Sequence, residues 1–166
     1  VQFNWNSTPN QWSIAECLLH VNLIFEYYIP LIEKVLIKPE HPKDYFKSGF
    51  FGKILINRIQ LDSANTVKQS LKTPTIFRPN KSASMDGLGI LQKYKLHQEK
   101  MTQLLELSLN TNLAFNRIAL AKLPFIRLKL GDLLCFIVYH NERHIIQAQR
   151  IRSEELFPRG ANHELH

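Results

Sequence analysis

Gly131-Asp132-Leu133-Leu134-Cys135-Phe136-Ile137-Val138-Tyr139-His140-Asn141-Glu142-Arg143-His144-Ile145-Ile146-Gln147 is the stretch on which the fold turns. Its unbroken apolar run, Leu133 to Tyr139, is long enough for a strand, but it sits inside a longer helical pattern. Leu133, Phe136 and His140 fall on one helical face, at i, i+3 and i+7. The spacing predicts a helix opened by Gly131-Asp132 and running to about Arg152. Upstream, Ser13 can cap a helix, and Glu16 three residues on completes a capping box. Ile14, Cys17, Leu18, Val21, Ile24, Phe25, Tyr28 and Leu31 keep helical spacing to about Val35, with Pro30 expected to kink the run. A third long helix is predicted from about Ser84 to Asn110, carrying Leu88, Leu91, Tyr94, Met101, Leu104, Leu105 and Leu107.

The intervening sequence is less regular. Residues 1–11 are polar and turn-prone, Lys38 to Lys43 reads as a linker, and Tyr45 to Ile59 as a short helix interrupted by Gly49 and Gly52. Residues 62–82, with Pro74 and Pro79, form an irregular connection; Asn110 to Lys129 is mixed and broken by Pro124; residues 153–166 read as a frayed tail. Alternation of period two is never sustained, so no strand is predicted. The fold class is all-α, an antiparallel helical bundle forming one domain over residues 1–166. With three long helices in view, a four-helix bundle is expected to draw its first helix from before Val1.

Composition bounds the function. The chain has 166 residues, 45% hydrophobic and 21% charged, average usage for a globular domain. Its longest apolar run is far short of the roughly 20 residues that cross a bilayer. Two cysteines cannot staple a fold of this size, and the N-terminus does not resemble a signal peptide. The expectation is a soluble cytoplasmic protein with no membrane partner. The net charge is +7, and residues 38–81 supply +6 of it through nine Lys/Arg against three acids. These cations are scattered through a loop-rich stretch without a nucleic-acid reading motif, so they read as a solvated basic face rather than a DNA surface.

Seven histidines carry the chemical signal. His140 and His144, at i and i+4, place two imidazoles one turn apart on one face, a spacing that can bind one metal ion. Gln147 shares their stripe and can hydrogen-bond a ligand or a water. A buried imidazole is costly without a partner, so the pair is either two satisfied core histidines or two ligands of a site built between helices. The third ligand must then come from another helix, and His20 is the best candidate: it shares its face with Glu16, Cys17 and Ile24. Glu16 either orients that imidazole or acts only as the capping acid, the favoured reading; Cys17 reads as a packing residue. His41, His97, His163 and His166 read as ordinary surface residues.

Taken in order, Trp12-Ser13-Ile14-Ala15-Glu16 followed by His20, then Lys72-Thr73-Pro74 and Phe77-Arg78-Pro79, then Gly131-Asp132-Leu133-Leu134 through His140-Asn141-Glu142-Arg143-His144-Ile145-Ile146-Gln147 resemble the DinB-like (YfiT-type) metalloprotein superfamily. The resemblance covers about residues 3–152. It implies a four-helix bundle, usually a homodimer, with a divalent metal on His20, His140 and His144. Zinc, nickel, iron and manganese all accept imidazole. Three histidines leave coordination positions open, as catalytic sites do. The resemblance therefore implies a metal-dependent enzyme, either a transferase using a low-molecular-weight thiol or a hydrolase, acting on a small molecule. Arg143 is a candidate to assist an anionic substrate, but one residue before His144 it reads more readily as facing a neighbouring helix or a dimer partner. The alternative is a non-catalytic, stress-related binding module whose metal is structural or vestigial. An enclosed site would favour that alternative, and an open cleft beside the metal would favour the enzyme.

Overall fold

The structure, a computed structural model, describes residues 2–37, 41, 45–66, 72–80 and 85–159. Four α-helices dominate it: α1 (Ile14–Leu36), α2 (Phe50–Ile59), α3 (Gly87–Ser108) and α4 (Leu130–Ser153). The start predicted at Ser84, most of the Lys38–Lys43 linker, and His163 and His166 lie outside the described residues.

Two of the four helices, α1 and α3, begin at a local side chain that satisfies one of their first N–H groups. At α1 the Ser13 side chain accepts from the Glu16 N–H, while the Glu16 carboxylate accepts from the Ser13 N–H, so the capping box is complete. Helix α3 is capped by Asp86, whose side chain accepts from the Gly89 N–H. Helix α2 has no side-chain cap of its own, because Gly49 stands at that position. Asp132 of α4 fills the role from across the bundle: its buried carboxylate accepts from the Gly49 N–H at 3.0 Å and from the Ser48 hydroxyl. This close approach explains Gly52, where a Cβ would stand 2.2 Å from the Asp132 Cγ. The glycines that interrupt the apolar pattern of α2 are thus what lets it dock on α4.

The core forms where α1 meets α3 and α4, with Val21, Ile24, Phe25, Tyr28, Ile29 and Ile32 from α1 packed on Met101 and Leu104 of α3 and Leu133, Leu134 and Ile137 of α4. Helix α4 runs antiparallel to α1. Helix α3 runs alongside α1 in the same direction, as its ion pairs show: Lys93 reaches Glu26 and Lys100 reaches Glu33, both at 2.6 Å. Between the two helices in sequence lie α2, which packs on α4 near Asp132, and Phe77, which packs beside His20 near the start of α1. Helix α1 continues through Pro30, whose side is exposed. Its best window has a mean hydropathy of 1.2, enough by composition to cross a membrane, but most of that window is buried in the protein.

Two expectations are corrected. The region from Asn110 to Lys129 contains strands: β1 (Arg117–Ala119) and β2 (Arg127–Lys129) pair antiparallel, with Ile118 opposite Leu128 and both buried. Three residues per strand are too few for alternation to register in the sequence. The Tyr28 hydroxyl accepts from the Ala121 N–H at 3.2 Å and so ties the hairpin to α1. The described part of the tail is also docked rather than frayed. Phe157 is buried, packs edge-on against Trp5 at 5.4 Å, and joins Cys17 and Ile151 in a second apolar cluster.

Candidate metal centre

His20 lies on the buried face of α1, two turns past the capping box, and only 2% of its surface is exposed. Its Nδ1 stands 2.6 Å from the Phe77 carbonyl, which can only accept, so the proton sits on Nδ1 and the Nε2 lone pair points away from the connection. That Nε2 is 3.4 Å from Nε2 of His140. On α4, His144 is buried and its Nδ1–H donates to the Gln147 side-chain oxygen at 3.0 Å. His140, one turn earlier, is half-buried. The three ring centroids are 4.6 to 5.0 Å apart. One nitrogen from each ring lies within 4.8 Å of the others.

This donor set suits a divalent transition ion. Tetrahedral coordination at about 2.0–2.1 Å separates two nitrogens by roughly 3.3 Å, close to the gap between His20 and His140. Two opposed Nε2 atoms also need something between them, and one proton or one cation satisfies both. Burial lowers the pKa of all three rings, and for each the charge of Arg143 adds to the effect. The imidazoles also repel one another's charged forms, and His144 falls to about 3. All three rings are neutral at pH 7, the form in which imidazole can bind a metal ion.

Other side chains shape the rings. Trp12 stacks on His144, with centroids 5.7 Å apart and planes 22° apart, and sets its edge against His20 at 5.0 Å. Phe136 covers His140 at 5.3 Å. Glu16 holds the helix start, while the ring nitrogen of His20 that needs a partner is met by Phe77. Cys17 is packed away with Ile151 and Phe157, and burial pushes its thiol up to about 12. Arg143 is half-buried and lines the same cavity as the triad. His41 is exposed. His97 departs from the surface reading: it packs on Phe25 and donates to Asn22, whose amide also bonds the Ile90 carbonyl.

The triad forms part of the wall of a cavity of about 640 Å³, within the range of small-molecule sites. Apolar side chains including Ile24, Tyr28, Leu55, Phe77, Leu120 and Phe136 line much of the rest. Sequence reasoning missed the Phe77 carbonyl and the hairpin tip at Leu120–Leu123. A main-chain acceptor leaves no mark in residue identity, and the tip is brought to the site only by tertiary packing.

Comparison with known proteins gives one finding. The model of a family described as the DinB superfamily matches residues 2–148. No curated protein and no solved structure matches the chain.

Proposed function

Since this chain belongs to the DinB superfamily, we propose that it is a metal-dependent enzyme whose single divalent ion, zinc, nickel, iron or manganese, is held by His20, His140 and His144. The reaction class is transfer to or from a low-molecular-weight thiol, or hydrolysis. The observation that carries this reading is the opening of the triad onto the cavity: all three imidazoles line it. A structural ion has no use for an adjoining cavity of about 640 Å³.

The ion supplies Lewis acidity, lowering the pKa of a thiol or a water placed beside it. The chain's own residues do the rest. Phe77 and Gln147 hold the Nδ1 protons of His20 and His144, so that each Nε2 stays a lone-pair donor. The apolar wall excludes water and receives the body of the substrate. Arg143 places a positive charge beside the reacting centre, where an anionic group can be held. Among the described residues no carboxylate lines the cavity. Tyr28, the one phenol there, already accepts from Ala121 and is raised by burial, so it stays protonated.

The test is elemental analysis of protein purified without a nickel column, beside His140→Ala. About one transition-metal ion per chain in the wild type, lost in the variant while helical circular dichroism is kept, is the expected result. Wild-type protein that takes up none of the four metals on incubation refutes the proposal.

A further inference from the structure

The cavity is electrically one-sided. Of the 22 side chains that line it, four are cationic and none is acidic, although the chain has 14 Asp and Glu. Arg143 is half-buried and acts on all three imidazoles, so it lies deep, beside the triad. Arg58, Lys72 and Lys122 are exposed and stand at the rim. They come from three separate elements: the end of α2, the connection before Phe77, and the tip of the β1–β2 hairpin. None of the three is held by an ion pair among the described residues, whereas Lys93 and Lys100 are each matched to a glutamate on α1. Much of the remaining wall is apolar, with Leu55, Ile59 and Phe136 among its less exposed members.

We propose that the cavity selects a small amphipathic dianion, its apolar body against this wall and its charged head on Arg58, Lys72 and Lys122, so that the far end reaches the triad. The proposal rests on the reading of the cavity as a substrate site and gives that substrate a chemical class. It also assigns a use to part of the basic stretch 38–81, from which Arg58 and Lys72 come. A rim cation contributes modestly alone, because water screens it, but three that line one cavity add their attraction for a single dianion.

The probe pair is 1-naphthyl phosphate, largely dianionic at pH 7.5, and 1-naphthol, which shares the apolar body without the charge. Binding is measured by calorimetry on metal-loaded protein and on protein stripped with chelator, at 50 and 300 mM salt. The phosphate is expected to bind stripped protein at least about tenfold more tightly than the naphthol, with the advantage shrinking at high salt. In the triple variant Arg58→Gln/Lys72→Gln/Lys122→Gln that advantage should be lost, with melting temperature and metal content unchanged. Equal binding of the two probes, or a triple variant that keeps the full preference, overturns the proposal. A preference present only with metal bound and indifferent to the three substitutions also overturns it, since the phosphate would then be reading the ion. The arms separate the two readings. A loss of charge selectivity with normal metal content leaves the metal centre standing; selectivity in a protein that never takes up metal removes the metal centre and leaves the anion site.

Discussion

Gln147 is the residue through which the environment of His144 is most directly adjusted. With its oxygen gone, as in Gln147→Leu, the His144 Nδ1–H loses its acceptor and the ring its orientation. Metal affinity should fall by about 10- to 100-fold in chelator competition, and an unchanged affinity would show that stacking on Trp12 alone positions the ring. The lowered pKa values make a second prediction, for the metal-free protein. Unfolded histidines titrate near 6.5 and the folded triad lower, His140 and His144 well below, so as pH falls the unfolded state takes up protons first. The stability that the neutral imidazoles contribute is therefore complete above about 6.5 and declines toward about 3, where His144 finally titrates. Denaturant titrations between pH 7 and 4 should show a steeper loss for wild type than for His140→Ala/His144→Ala, and parallel slopes would contradict neutral burial. At this scale the sequence was readable where chemistry is written in spacing: i, i+4 places His140 and His144 on one face, and the apolar stripe of α1 puts His20 inside. It was silent on Phe77, which acts through its backbone, and on His97, whose partner Asn22 lies 75 residues away.

Helix α2 shows what a pattern can and cannot reveal about an element. Gly49 and Gly52 look like interruptions in Tyr45 to Ile59, yet one is the N-cap and the other clears space for Asp132. Gly52→Ala should destabilise by about 1–3 kcal/mol through overpacking against that carboxylate. Asp132→Ala should cost a similar amount by leaving the Gly49 N–H without its acceptor. The double variant should lose clearly less than the sum of the two, because the second change removes the obstacle met by the first. Thermal unfolding of the four proteins measures this, and additive losses would mean that the two residues do not act on each other. The long helices were found to within a few residues because their periodicity is sustained, and at α1 the capping box agrees with it. The hairpin and the docked tail were not, since both depend on neighbours distant in sequence: Tyr28 for the hairpin, Trp5 for Phe157.

For the molecule as a whole, the candidate metal centre joins α1 to α4, so an ion bound there opposes global unfolding. At a free-metal concentration about 100 times its dissociation constant, binding stabilises by roughly 2.7 kcal/mol, or about 5–10 °C in a domain of this size. Calorimetry with and without chelator checks this, and an unchanged melting temperature would mean that no ion bridges the helices. The distance in sequence between those two helices also orders events in time. His20 and His140 are 120 residues apart, so at ~5–20 residues per second a ribosome needs roughly 6–24 s after making the first before it delivers the second. Through that interval the nascent chain holds one imidazole of the three, too few to compete for a scarce cation. On the proposed reading, metal can therefore be acquired only late, once α4 has arrived to complete the core of Val21, Phe25 and Leu133. On that same reading, the cell's metal supply then sets how much of the finished protein carries its ion and, through the stability the ion adds, how much of it stays folded.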